Sequence, residues 1–216
     1  MPAHSFSPVA GFYDTLAHFV FGRNLQEAQA ANLQSMADNI RILIIGGGTG
    51  WILQQVLQNT QNSSIVYLEA SGSMLKKTEE RIGQITLSNQ IEYRLGTEAD
   101  IKQAENFDLL ITNFFLDLFS PVYLQSILNK LDDALAPDGK WLITDFVMPI
   151  SGKLAHLRAM LLFKSMYLFF RLTCGISATT LPDWENKLKS MSLVKTNSSY
   201  FYHGLIKTIV FSKSVA

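Results

Sequence analysis

Residues Ile42-Leu43-Ile44-Ile45 form an unbroken apolar run that passes directly into Gly46-Gly47-Gly48-Thr49-Gly50. A run without polar alternation is the signature of a strand covered on both faces, as in the centre of a parallel sheet. After Trp51 the apolar spacing becomes helical, so the glycines lie between a buried strand and a helix N-terminus. Glycines there let a ligand approach the backbone, and the first helical turn presents N–H groups with no intrahelical partner. A dinucleotide fingerprint needs glycine at the first, third and sixth positions. Counted from Gly46 the sixth is Trp51, and the glycines fall at the first, third and fifth positions instead. Glu69 ends the next apolar run, 19 residues after Gly50, where a carboxylate accepts hydrogen bonds from ribose hydroxyls. The loop alone could be only a tight turn; with the buried strand before it and the acid after it, it reads as a nucleotide-type site.

The alternation continues along the chain. Ile65 to Leu68 reads as a strand, Gly72 to Ile82 as a helix, and Ile91 to Leu95 and Phe107 to Thr112 as strands. Pro121 to Leu135 then reads as a helix, Pro137-Asp138-Gly139 as a turn and Lys140 to Thr144 as a strand. Such alternation predicts right-handed βαβ units, that is, an α/β doubly wound, mostly parallel, Rossmann-like sheet with helices on both faces. Leu193 to Tyr200 and Leu205 to Ser212 lie too close together for a crossover helix and predict a reversed C-terminal hairpin around Tyr202-His203-Gly204. Before the sheet, Pro8 to Ala37 predicts two helices broken near Gly22. The expected organisation is one domain: a helical cap over 1–38, a cofactor-binding core over 39–150, a helical lid over 151–190 and the hairpin over 191–216. No internal repeat is visible.

At 216 residues and 48% hydrophobic content the chain can bury one sizeable core. Lysine plus arginine balances aspartate plus glutamate at 18 each, so there is no basic field for a phosphate backbone, which argues against nucleic acid as a partner. One cysteine, Cys174, allows no intrachain disulfide or multi-thiolate metal site and reads as a small buried hydrophobe. Met1 to Phe12 lacks the charge-then-apolar order of an export signal, so a cytoplasmic location is the expectation. The most apolar stretch, Leu154 to Cys174, is interrupted by Arg158, Lys164 and Arg171, so it predicts a helix with a broad apolar face and not a membrane span. At helical period Lys164, Tyr167 and Arg171 share a stripe.

Ile42 to Gly50 resembles the first motif of the class I S-adenosylmethionine-dependent methyltransferases. The resemblance extends over most of the chain: Ser64 to Ser71 with Met74-Leu75 resembles the second motif, Tyr93 to Glu98 the third, and Phe107-Asp108 to Asn113-Phe114-Phe115-Leu116 the fourth. Leu135 to Trp141 is similar to the turn and strand that follow, and the closing hairpin matches the family's reversed last strand. The resemblance implies S-adenosyl-L-methionine as cofactor, with Gly46 and Gly48 facing its methionine part, Glu69 its ribose, and Gly47, Gly50, Ala70 and Met74 also among the cofactor-binding residues. It further implies Thr97 or Glu98 at the adenine amino group and Asn113 at the end of the fourth strand. Ile44 departs from the acid common in the family two residues before the first glycine, and Thr97 from its aspartate.

Within the family, Asn113-Phe114-Phe115-Leu116 lacks the two prolines of enzymes that methylate amide or nucleobase nitrogen. Magnesium-dependent catechol-type enzymes use strand-end carboxylates or amides, for which this chain offers only Asn113 and Asp145, and no metal is expected. The glycine loop also resembles that of spermidine synthases, whose aspartate is replaced here by Thr49 and whose acid-rich segment has no counterpart. Phe12-Tyr13-Asp14 and the helical insert resemble those of the small-molecule branch that includes quinone-biosynthesis enzymes, which implies a small, apolar acceptor closed in by both segments. The insert's aromatic residues suit such an acceptor, simple packing onto the sheet or a homodimer interface equally. His203, Asp117 and Tyr13 are the candidate catalytic side chains, each with a plainer reading as turn histidine, helix-start acid and core aromatic. His4, His18 and His156 rank below them. A Rossmann-type oxidoreductase, or a silent relative that binds the cofactor without turnover, are the alternative readings of the same loop.

Overall fold

The computed structural model describes residues 8–83, 88–102, 105–149 and 152–213; His4 lies outside them. α1 (Tyr13–Phe21) and α2 (Asn24–Ala30) open the chain, separated at Gly22, where φ is +60°. Then come β1 (Arg41–Ile45), α3 (Trp51–Asn59), β2 (Ser64–Glu69), α4 (Gly72–Ile82), β3 (Gln90–Leu95), β4 (Phe107–Asn113), α5 (Pro121–Ala134) and β5 (Leu135–Phe146). α6 (Lys153–Cys174), α7 (Trp184–Lys189), β6 (Leu193–Phe201) and β7 (Ile206–Lys213) complete the described elements.

The strands form one sheet in the order β3-β2-β1-β4-β5-β7-β6. β1 to β5 are mutually parallel, β7 runs antiparallel to β5, and β6 antiparallel to β7. The expected α/β doubly wound architecture with a reversed hairpin is therefore the one found. Burial explains the apolar run: Leu43 and Ile45 pack with α5 and α7, whereas Ile42 and Ile44 pack with α3 and α4. A polar residue at any of the four would be buried without a partner.

Two expectations are corrected, and one element is added. Pro137-Asp138-Gly139 does not separate helix from strand, because β5 begins at Leu135. Phe107 pairs with Leu135 and Leu109 with Lys140, so the intervening residues bulge from one continuous strand, with Asp138 at φ +62°. α7 was not foreseen, since its six residues are too short for a periodic signal; Trp184 is buried and donates Nε1–H to the Phe146 carbonyl at 3.0 Å. The Lys164, Tyr167 and Arg171 stripe on α6 also divides: Tyr167 is buried while both cations are exposed. Cys174 is buried, as expected.

The hydroxyls of Thr144 and Thr208 pair at 3.1 Å, and Thr208 donates to the Ala28 carbonyl at 2.8 Å, fixing the end of α2 on β5 and β7. α6 is seated by an acid pair. Tyr167 donates its hydroxyl to Asp117 Oδ2 at 3.2 Å, and the Asp117 carboxyl meets that of Asp145 at the end of β5. Asp145 accepts N–H bonds from Leu116, Asp117 and Phe146 at 2.9, 3.3 and 2.8 Å. Burial pushes the Asp117 carboxyl up to about 7, and burial with the Asp117 charge raises Asp145 as well. Three amide donors reach Asp145 while Asp117 Oδ1 meets no donor, and two carboxyls this close and this buried titrate as a pair that shares one proton.

Two predictions follow from this packing. Gly50 sits at φ +83°, and a Cβ there would lie 2.6 Å from Thr78 Cγ2 and 3.0 Å from its Cα; Gly50→Ala is expected to cost about 2 kcal/mol or more in a denaturant melt. The Asp117 carboxyl ionises more readily unfolded than folded, so its contribution to stability is complete below about pH 4 and is lost as pH rises through about 7. Asp117→Asn, which can donate to Asp145 and still accept from Tyr167, is expected to raise the melting temperature at pH 8 by a few degrees and to change it little at pH 4. An equal effect at both pH values would contradict the protonation assignment.

Candidate active site

β1 lies between β2 and β4, so the chain order reverses at its carboxyl end, where an open α/β sheet leaves a crevice for ligands. The glycine loop occupies that point. Gly48, at φ +65°, has open space where a Cβ would be, while the peptide groups before and after it are both held. Its N–H donates to Glu69 Oε2 at 3.1 Å, and its carbonyl accepts the hydroxyls of Tyr67 and Thr78 at 3.1 and 3.0 Å. Glu69 also accepts the Ser71 N–H at 2.9 Å. Burial pushes the Glu69 carboxyl up, opposed by the backbone N–H groups of Ser71, Gly48 and Ala70.

Two clefts flank the loop. The first is lined by Gly46, Gly48, Glu69, Ala70, Met74, Thr97, Glu98 and Asn113, together with Ile45, Leu68, Gly96, Tyr13, Phe114, Phe115, Leu118 and Phe119. The second, on the α1 side, is polar: Asp14, His18, Gln26, Gln29, Arg81, Thr49 and Gly47 join Trp51, Tyr13, Asn113 and Phe114 on its wall. A third, apolar cavity lies between α1 and α6, walled by Leu16, Val20, Phe146, Leu162, Met166, Phe169 and Phe170, with Ser165 at its rim. Tyr13 and Phe114 line all three spaces.

Asn113 is buried, lines both clefts, and has no hydrogen-bond partner for either end of its side-chain amide among the described residues. A buried amide in that state wants a polar ligand. Phe114 follows it at φ +49°, a costly conformation for an aromatic residue. It is held there by its N–H bond to the Thr144 carbonyl at 2.7 Å and by packing at 4.8 Å, ring to ring, against Phe146. α1 is clamped over the second cleft, because Asp14 accepts from Thr49 Oγ1 at 2.9 Å and from Arg81 at 3.0 Å.

The sequence-derived cofactor residues thus converge on one edge, except Gly50, which lines neither cleft and starts α3. Thr97 spends its hydroxyl on the Ala99 N–H at 3.2 Å while its own N–H donates to Asp100 at 2.8 Å. The three catalytic candidates separate. Tyr13 is at the junction, and burial, followed by the charges of Asp117, Asp14 and Glu69, pushes its phenol up, so the hydroxyl keeps its proton and acts through hydrogen bonds, not as a base. Asp117 lines none of the three spaces and is engaged with Tyr167 and Asp145. His203 is exposed at the hairpin tip, at φ +55°, with its ring 5.6 Å from that of Tyr202, and also lines none of them. Phe114, Phe115 and Asp14 stand in the sequence only within family-like segments, with no role of their own, and Arg81, which pairs with Asp14 across the fold, carries no signal there. No group of three histidine, cysteine, aspartate or glutamate side chains is arranged to hold a metal among the described residues.

Residues 43–141 match the family model described as a methyltransferase domain. The chain is 27% identical over 109 residues to carboxy-S-adenosyl-L-methionine synthase of Shewanella piezotolerans, covering 50% of this chain and 44% of that protein. It is 24% identical over 142 residues to malonyl-[acyl-carrier protein] O-methyltransferase 2 of Ilyobacter polytropus, covering 66% and 52%. The chain therefore spans about half the length of these curated relatives. In fold it is similar to mitomycin 7-O-methyltransferase, at TM-score 0.68 and 17% identity over 97% of this chain and 61% of that one. A family 2 O-methyltransferase from Planctomyces limnophilus, solved as a complex with apigenin, gives 0.68 and 17% over 97% and 62%. The matched domain runs from β1 into β5, the part of the sheet that carries the glycine loop, Glu69 and Asn113, so over this segment the chain is similar to a methyltransferase domain and has the fold of the solved methyltransferases.

Proposed function

We propose that the chain transfers a methyl group from S-adenosyl-L-methionine to a small, apolar acceptor held between α1 and α6. The observation that carries this reading is the unpartnered Asn113 amide, shared by a mixed cleft at Glu69 and a polar cleft at Asp14 and Arg81, beside a third, apolar space. The residues fit the cofactor's chemistry. Glu69 offers carboxylate acceptors suited to ribose hydroxyls, Met74 and Leu68 give apolar walls for a purine, and Thr97 and Glu98 offer acceptors for its amino group. Arg81, Asp14, Gln26 and Gln29 in the second cleft provide both signs of charge and amide groups for an amino-acid moiety. When bound, the cofactor supplies an electrophilic methyl group on a sulfonium, so the protein's work is alignment and exclusion of water. α1 and α6 exclude water, Phe114 walls the junction, and the neutral Tyr13 hydroxyl orients a polar atom of the acceptor there. None of the three candidate side chains serves as a general base in this reading, which suits an acceptor that reaches the site already nucleophilic or gives its proton to solvent.

Calorimetric titration with S-adenosylhomocysteine tests the cofactor. Saturable binding is expected, with Glu69→Gln weakening it about tenfold or more, since a hydrogen bond to a charged group is worth about 1.5–3 kcal/mol. NAD is expected to give no heat; selective NAD binding, or no binding of either by a chain that melts cooperatively, would sink the proposal. For the acceptor, Tyr13→Phe is expected to lower kcat/KM about three- to tenfold in a screen of quinols and phenols while the S-adenosylhomocysteine affinity stays unchanged. An equal loss in both would make Tyr13 a cofactor residue instead.

A further inference from the structure

α6 is apolar on two faces, and the sheet uses only one of them. Ala159, Phe163, Tyr167 and Cys174 are buried against the molecule. On the other side Leu154, Leu157, Leu161, Leu168 and Leu172 are between 47 and 79% exposed. At 3.6 residues per turn these five leucines fall within an arc of about 60° and run along about 27 Å of helix. Single exposed leucines are ordinary, but a continuous stripe of this length marks a docking surface. Its borders are charged: Lys153, Lys164 and Arg171 lie on one side and Arg158 on the other, all exposed, and the 22 residues of α6 include no aspartate or glutamate.

We infer that the outer face of α6 docks on an anionic lipid bilayer, lying in its surface with the leucine stripe in the acyl boundary and the four cations at the phosphates. A leucine stripe edged with lysine and arginine is the pattern of an interfacial helix. No helix among the described residues is long and apolar enough to cross a membrane, so the helix lies on the bilayer. A second copy of the chain is the poorer occupant, because pairing through this face would bring two sets of four cations together with no acid on either helix to offset them. The stripe also borders the apolar cavity. Ser165, exposed and on the cavity rim, lies one turn from both Leu161 and Leu168. Phe19 on α1, across the cavity, is 86% exposed. Docking would therefore bring the cavity against lipid and give a membrane-dissolved acceptor a path that avoids water; this consequence, unlike the docking itself, rests on the methyl-transfer reading.

The test is co-sedimentation of the full chain, without cofactor, with phosphatidylcholine vesicles that contain or lack phosphatidylglycerol. Binding is expected to the mixed vesicles, to weaken with added salt, and to be far weaker on phosphatidylcholine alone. Lys164→Gln with Arg171→Gln is expected to lower the partition coefficient about 25-fold, about fivefold for each cation. Leu161→Gln with Leu168→Gln is expected to lower it about tenfold or more. All four side chains are exposed, so both variants should melt with the wild type, and the charge pair alone decides the matter should the leucine pair unfold. A chain that stays in the supernatant, charge variants that bind like the wild type, or a solution dimer that the leucine substitutions dissolve would each overturn the proposal. None of these outcomes bears on S-adenosylhomocysteine binding, so the two readings fail separately.

Discussion

The organisation of this chain depends on how one residue, Gly48, is held by the two peptide groups that flank it. Its N–H is bound by a carboxylate from the end of β2, and its carbonyl is bound by a tyrosine from β2 and a threonine from α4. Three groups from two βαβ units thus fix the turn between β1 and α3. Because Gly48 has no side chain, the space beside it stays open. The same carboxylate that anchors the loop faces the first cleft, so the geometry that closes the βα turn also shapes the ligand site. Gly50 allows α4 to pack against the loop, which brings Thr78 within reach of Gly48.

A second constraint lies just past the end of β4 and at the end of β5. Asp117 and Asp145 are buried together, and among the described residues no cation stands beside either of them. Three backbone N–H groups and a shared proton offset the cost of burial, and Tyr167 links the result to α6. The lid is therefore held through a group whose protonation state matters, a few residues from the junction aromatics Phe114 and Phe146. Burying such a pair carries an electrostatic cost at neutral pH, and a simpler apolar contact would avoid it.

The fold was largely legible because its determinants are local and periodic. A buried parallel strand without polar alternation, a helix read over Gly72 to Ile82 and a hairpin without room for a crossover all appear in the one-dimensional pattern; the Ser71 cap, whose Oγ accepts the Met74 N–H at 3.3 Å, is a structural finding. The reversed edge and the position of the glycine loop follow from chain direction. The pattern misled at Pro137-Asp138-Gly139, where turn residues serve a bulge inside a strand whose pairing with β4 and β7 overrides the local preference. It was silent at α7, where one buried tryptophan and a hydrogen bond to β5 hold six residues that have no helical period to display.

By itself the sequence determined the strand order's logic, the glycine loop, its acidic partner Glu69 and the family motifs, since each is carried by neighbours along the chain. Only the tertiary structure decided what the isolated acids and aromatics do. Asp117 became a seat for the lid, His203 an exposed turn residue, and Tyr13 and Phe114 the meeting point of three spaces, because burial and partners come from segments 30 to 150 residues away in this chain. The two faces of α6 separated for the same reason. Periodicity places leucines and cations around a helix, but which face meets protein and which meets its surroundings is settled by what packs against it, here the sheet end and α1 on one side and solvent on the other.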